Sequence, residues 1–121
     1  MIKLKSVILI DNNEIDNFIN RKILEHYGIT NIISFKNPSE ALSFLKTTVE
    51  KYQLILVDVY LPMIDGFEFI DKFNELGLNK TQGEIVILST SMNPVHLNKA
   101  KEMNIAFIDK PLTIEKLLKN I

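Results

Sequence analysis

Four residues in this chain have the types and positions to carry one reaction between them: Asp11, Asp58, Ser89 and Lys110. Each ends a short apolar run. Ser6-Val-Ile-Leu-Ile leads to Asp11, Gln53-Leu-Ile-Leu-Val to Asp58, Ile85-Val-Ile-Leu to Ser89, and Ile105-Ala-Phe-Ile-Asp to Lys110. An aspartate carboxylate can attack phosphorus and form an acyl phosphate. Its charge repels the oxygens of the incoming group, and a hard divalent cation such as Mg²⁺, held by a few carboxylates and waters, removes that repulsion. A lysine pairs with a phosphoryl group as a point charge, and a hydroxyl can hydrogen-bond another of its oxygens. Phosphoryl transfer asks mainly for positioning and charge neutralisation. If the runs are neighbouring parallel strands, these groups meet at one edge. Asp58 is then the nucleophile, Asp11 lies on the metal side, Ser89 supplies the hydroxyl and Lys110 the cation.

The rest of the sequence supplies elements able to hold such an edge. Val7 to Ile10 is continuously apolar, as expected of a strand covered on both faces. Ile15, Phe18, Ile19 and Ile23 recur at helical spacing, and Gly28 is a helix stop. Asn31 to Phe35 reads as a second strand, at an edge. Asn37, Pro38 and Glu40 form a helix start by cap, first-turn proline and capping-box position, with Leu42, Leu45 and Val49 on the buried face. Leu54 to Val57 is the third strand. Leu61-Pro62 and Asp65-Gly66 mark a loop, and Phe69, Ile70, Phe73 and Leu76 a helix ending at Gly77. Ile85 to Leu88 is the fourth strand. Asn93-Pro94 opens a weaker helix with Val95, Leu97, Ala100 and Met103. Ile105 to Ile108 is the fifth strand, and Thr113 caps a last helix burying Ile114, Leu117, Leu118 and Ile121. Five strands alternating with five helices predict an α/β fold, a parallel sheet with helices on both faces. In such sheets ligands bind beyond the carboxyl ends of the strands, where the four chemical residues fall.

Composition narrows the classes. The 121 residues suit one domain, 1–121, and the 46% hydrophobic content argues against disorder. A formal net charge of −1 with interspersed signs gives no pull toward nucleic acid or an anionic membrane. The absence of Cys excludes disulfides, thiol catalysis and Cys-based zinc sites. No apolar run reaches a membrane span and the N-terminus lacks a secretory apolar core, so the expectation is a soluble cytoplasmic protein.

The chain resembles the receiver domain of bacterial two-component response regulators. The resemblance rests on Ile10-Asp11-Asn12-Asn13 after the first strand and Val57-Asp58-Val59-Tyr60-Leu61-Pro62-Met63-Ile64-Asp65-Gly66 around the acceptor. Leu88-Ser89-Thr90 follows the fourth strand and Asp109-Lys110-Pro111 the fifth. It implies a flavodoxin-like receiver fold, a five-stranded parallel sheet in the order 2-1-3-4-5. It implies that Asp58 accepts a phosphoryl group from the phosphohistidine of a sensor histidine kinase or phosphotransfer protein. The chain would then catalyse nothing beyond its own phosphorylation and dephosphorylation. Mg²⁺ would be held by Asp11, Asn12, Asp58 and the backbone carbonyl of Tyr60. Ser89 and Phe107 correspond to switch positions, Tyr60 and Ser91 to positions that tune the lifetime of the acyl phosphate. The Lys110-Pro111 bond would be cis. With the sequence ending at Ile121, the expectation is a stand-alone, chemotaxis-regulator-like domain. Its output would pass to a downstream protein through the fourth helix, fifth strand and fifth helix.

The chain departs from the family at Asn12, where a second acid normally ligates the metal directly. The expectation is weaker Mg²⁺ binding, with Glu14 the nearest compensating acid. Thr is also the usual residue where Ser89 stands. Singly, these residues have ordinary readings: Asp11 and Asn12 as helix caps, Ser89 as a turn former, Phe107 as core, His26 and His96 as surface or packing residues without partners. A competing function is a degenerate receiver acting as a phosphorylation-independent interaction module. A haloacid-dehalogenase-type phosphatase would need an acid where Tyr60 stands. A flavin binder would need a glycine- and hydroxyl-rich loop in place of Asn12-Asn13-Glu14.

Overall fold

A computed structural model describes residues 4–90 and 93–121. Its elements run β1 (Ser6–Ile10), α1 (Glu14–Tyr27), β2 (Asn31–Phe35), α2 (Pro38–Thr47), β3 (Leu54–Val57), α3 (Gly66–Glu75) and α4 (Leu78–Thr81). They continue with β4 (Glu84–Ser89), α5 (Pro94–Glu102), β5 (Ala106–Asp109) and α6 (Ile114–Lys119). The five strands form one sheet in the order β2-β1-β3-β4-β5, every pair parallel. The alternation of strand and helix forces this, because parallel neighbours need a crossover long enough to return the chain.

The strands are apolar throughout because both faces are covered, and the pleat sorts their side chains into two cores. Ile8, Ile10, Ile55, Val57, Ile85 and Ile87 point to one side and pack with Leu42, Leu45, Phe67, Phe69, Ile70 and Phe73 from α2 and α3. Val7, Leu9, Leu54, Leu56, Val86 and Leu88 point to the other and pack with Leu24 of α1 and Leu117 of α6. No helix among the described residues is long and apolar enough to cross a membrane.

The helix ends follow sequence chemistry in most places. The side chains of Asn37 and Thr113 accept from Ser39 N and Lys116 N, and Gly28 closes α1 in the left-handed region at φ 108°. The amide of α1 is capped by Asn13, which accepts from Ile15 N and Asp16 N, and not by Asp11 or Asn12. Asp65, read as loop, caps α3 reciprocally with Glu68. The one-turn helix α4 has no counterpart in the sequence reading.

The largest difference concerns the face of α1. Its apolar stripe is turned to solvent: Ile15 is 69% exposed and Phe18 59%, with Ile19 also exposed. The buried face carries Asn17, Asn20 and Leu24. The reason lies just past the end of β1, at the buried backbone carbonyl of Asp11. Asn17 Nδ2 donates to Asp11 O at 2.8 Å and to Phe35 O at 3.5 Å. A buried carbonyl without a donor costs more than an exposed aliphatic side chain, so the polar face turns inward. Val49 lies beyond the end of α2 and is exposed, not buried.

Candidate functional site

The site residues are fixed by the sheet itself. Asp11 and Asp58 are the first residues past β1 and β3, and each continues the parallel ladder by one bond: Asp11 N donates to Phe35 O and Asp58 N to Ile10 O, both at 3.0 Å. Ser89 is the last residue of β4, and its carbonyl accepts from Lys110 N at 3.0 Å. The backbone of each therefore has strand rigidity while its side chain sits on the carboxyl edge. Lys116 of α6 donates to Asp109 O at 3.1 Å and Pro111 O at 3.0 Å, clamping the chain on both sides of Lys110. The Lys110–Pro111 peptide is cis. Behind Asp58, Gly66 N donates to Val59 O at 2.8 Å. A Cβ at Gly66 would stand 2.4 Å from the Asp58 carbonyl oxygen, so only glycine lets α3 start against the Asp58 backbone.

Three expected side chains, Asp11, Asp58 and Lys110, converge, and Ser89 ends the neighbouring strand. Asp58 is 8% exposed, Asp11 4% and Ser89 fully buried. Lys110 Nζ lies 2.6 Å from Asp11 Oδ2 and 3.5 Å from Asp58 Oδ2. A residue that the sequence reading missed completes the set: Asp16 Oδ2 accepts from Lys110 Nζ at 2.9 Å. Glu14, expected to compensate for Asn12, is exposed and pairs instead with Lys36 at 4.0 Å. Asn13 decides this. As N-cap it places Asp16 in the first turn of α1, and the helix then turns Asp16, not Glu14, toward the sheet edge. That signal was in the sequence, once the cap was assigned to Asn13.

The charges perturb each other. Burial pushes the Asp11 carboxyl above its usual range; the Lys110 ammonium and the Asn13 amide, which donates to Asp11 Oδ1 at 2.9 Å, oppose this without cancelling it. For Lys110 burial works to lower the pKa, but Asp11, Asp16 and Asp58 outweigh it and hold the ammonium well above the usual lysine range.

Among the described residues, no three acids or imidazoles are disposed around a metal position of their own; the cation on which the carboxylates converge is Lys110. The donor chemistry nevertheless suits a hard ion. The buried Asp58 Oδ1 has no hydrogen-bond partner, and the available donors are all oxygens, as Mg²⁺ prefers.

The remaining expected residues are placed less tightly. Asn12 is exposed beside Asp11. Tyr60 follows Asp58 by two residues, exposed, with its ring centroid 5.7 Å from that of His96. His96 thus has partners after all, Tyr60 and Phe67. Phe107 of β5 is half-buried against the core that contains Ile87, its register partner. Ser91 lies outside the described residues.

Residues 7–121 match the model of the response regulator receiver domain family. The chain is 28% identical over 114 residues to "Two-component response regulator 24" of Arabidopsis thaliana, covering 93% of this chain and 78% of that protein. It is 29% identical over 111 residues to "Sensor histidine kinase CheAY" of Helicobacter pylori, covering 92% of this chain but only 14% of that protein. The chain thus spans most of some relatives and a small part of others. A two-component response regulator from Cytophaga hutchinsonii superimposes with a TM-score of 0.84 at 30% identity, over 98% of this chain and 94% of that one. With its 2-1-3-4-5 parallel sheet, its carboxylates and lysine at the strand ends and this match over nearly the whole sequence, the chain belongs to the response regulator receiver domains of two-component systems.

Proposed function

We propose that Asp58 is the phosphoryl acceptor of this receiver, charged by the phosphohistidine of a sensor kinase or phosphotransfer protein. The supporting observation is the setting of one carboxylate. Asp58 is rigid, nearly buried, 3.5 Å from the Lys110 ammonium through Oδ2, and carries an unpartnered Oδ1. Attack by a carboxylate oxygen forms the P–O bond as the P–N bond of phosphohistidine breaks. The bonding pair returns to the imidazole nitrogen, which is then free to take a proton. Lys110 balances charge on the transferred oxygens, and the Ser89 hydroxyl, at the end of the adjacent strand, is the proposed donor to one of them.

Receiver domains typically bind Mg²⁺ in their acidic pocket, and here Asp11, Asp58, the Asn12 side chain and the Tyr60 carbonyl would hold it. The ion would neutralise the acceptor and the incoming oxygens. Ser89 and Phe107 are the proposed switch pair, and Tyr60 and Ser91 the residues setting acyl-phosphate lifetime. Phosphorylation would bias a two-state equilibrium that a protein partner reads on α5, β5 and α6. Catalysis is then confined to the domain's own Asp58. Labelling with a small phosphodonor and Mg²⁺ tests this: wild type gains one phosphoryl group and Asp58→Ala gains none. Labelling retained in Asp58→Ala would refute the assignment.

Asn12 favours one competing reading, a phosphorylation-independent interaction module. In that case neither Mg²⁺ nor a phosphoryl mimic binds at millimolar concentration.

A further inference from the structure

We propose that Asp16 is a positioning residue of the acceptor site, standing in for the acid that Asn12 does not provide. The inference rests on Asp58 being the acceptor and goes beyond it. With Asn12 neutral, the strand-end acids are Asp11 and Asp58, facing one ammonium. Lys110 could then satisfy both at once and sit between them, holding the acceptor in an ion pair. Asp16 changes that division. Lys110 Nζ is bound at 2.6 Å by Asp11 and at 2.9 Å by Asp16, and only loosely, at 3.5 Å, by Asp58. The ammonium is drawn toward α1 and away from the acceptor. Asp58 keeps one oxygen unpartnered and the other weakly held.

Asp16 also restores the negative charge of the pocket. Three carboxylates against one ammonium leave an excess of negative charge for a divalent cation to neutralise. Two against one would leave less, and Coulomb attraction at a partly solvated site makes each added charge count. Asp16 is suited to the part because it is anchored without being buried. It lies in the first turn of α1, where Asn13 caps its amide at 3.1 Å and the helix dipole favours an acid. Its side chain is 34% exposed, so no large desolvation cost opposes its charge. Glu14, with its carboxylate directed to Lys36, cannot do the same.

A double-mutant cycle in Mg²⁺ affinity tests this, read by amide NMR titration because the chain has no Trp. The proteins are wild type, Asp16→Asn, Asp16→Glu, Asn12→Asp and Asn12→Asp/Asp16→Asn, each first checked for its melting temperature. Asp16→Asn should weaken Mg²⁺ binding by about fivefold, the order expected of one charge at the rim of a solvated pocket. Asp16→Glu should recover much of the loss. Asn12→Asp should gain more in the Asp16→Asn background than in wild type, because one acid substitutes for the other. In Asp16→Asn the Lys110 side-chain resonances should also move as the ammonium loses this partner; the loss of Mg²⁺ affinity at an unchanged melting temperature, and its recovery in Asp16→Glu, are what a purely structural role for Asp16 would not give. Equal Mg²⁺ affinity of wild type and Asp16→Asn overturns the proposal, as does strict additivity of the two substitutions. Wild type that binds no Mg²⁺ at millimolar concentration would instead overturn the acceptor reading on which it stands.

Discussion

Replacing Gly66 by Ala isolates how closely the backbone of Asp58, the proposed acceptor, is held. The new Cβ would lie 2.4 Å from Asp58 O and 3.1 Å from both Asp58 C and Val59 Cα. A Cβ in a folded protein does not approach backbone closer than 3.0 Å, so the segment must give by at least about 0.6 Å. The atoms that must move are main chain, held by the bonds from Asp58 N to Ile10 O and from Gly66 N to Val59 O. Overpacking of this kind costs about 1–3 kcal/mol. Ala is the better helix former by at most about 1 kcal/mol, and Gly66 sits at the first position of α3, where that gain is smallest. The clash wins, leaving a net loss of about 1–2 kcal/mol. At about 3–6 °C per kcal/mol for a chain of this length, the melting temperature falls by about 5–10 °C. A shift of most of an ångström in a reacting group can cost about 10²-fold in rate, so labelling by a small phosphodonor should slow by at least about tenfold. Gly28→Ala is the control. Its φ of 108° makes Ala strained, but its Cβ meets nothing within 4 Å; it should lower stability and leave the labelling rate alone. Gly66→Ala that melts and labels like wild type would refute the argument that this glycine is required by contact with the acceptor.

Further outcomes follow from the charges and caps. Lys110→Met leaves Asp11 and Asp58 without their buried counter-ion; chemical denaturation should show a loss of about 2–4 kcal/mol, toward the lower part of the range for broken buried pairs because Asp16 still reaches water. Since the Lys110 pKa is raised in the fold, its contribution is fully present below the unfolded value and is lost only as pH rises through the folded one, so the deficit should be constant around neutral pH. The Asp11 carboxyl is also raised, and for an acid this means that ionisation opposes folding: its contribution is favourable below the unfolded value and disappears as pH rises through the folded one. Asp11→Asn should therefore be more stable than wild type at pH 7 without divalent ions, with the gap closing on acidification. Asp65→Ala removes the side-chain half of the α3 capping box, the bond from Glu68 N to Asp65 Oδ1, while the backbone N–H of residue 65 can still donate to Glu68; it should cost about 1 kcal/mol in a denaturant melt.

The sheet was legible because β1, β3 and β4 are buried on both faces and so are written as unbroken aliphatic runs, each ended by a polar residue. Those end residues, with Lys110 after β5, are the proposed site, and the match between strand end and chemistry made Asp11, Asp58, Ser89 and Lys110 readable together. Helical periodicity is weaker evidence. It marks the stripe Ile15, Phe18 and Ile19 but not the direction it faces. That direction is set by the Asp11 carbonyl just past the end of β1, which accepts from the amide of Asn17. Asp16 was missed for a related reason. Its role depends on which residue caps α1: Asp11 and Asn12 are the caps read from the sequence, and Asn13 is the cap in the fold. With Asn13 as cap, Asp16 falls in the first turn of α1, and the distance from its carboxylate to Lys110 shows the contact it makes there. The helix α4 is a single turn and too short to have a period.

The central claim is that a phosphoryl group is carried by one carboxylate, that of Asp58. Reduction of the phosphorylated protein with borohydride converts an acyl phosphate to the alcohol, and peptide mapping then locates the modified side chain. Homoserine is expected at position 58 and nowhere else, and only after incubation with phosphodonor and Mg²⁺. Homoserine at position 11 or 16, or an unmodified Asp58 under those conditions, would contradict it.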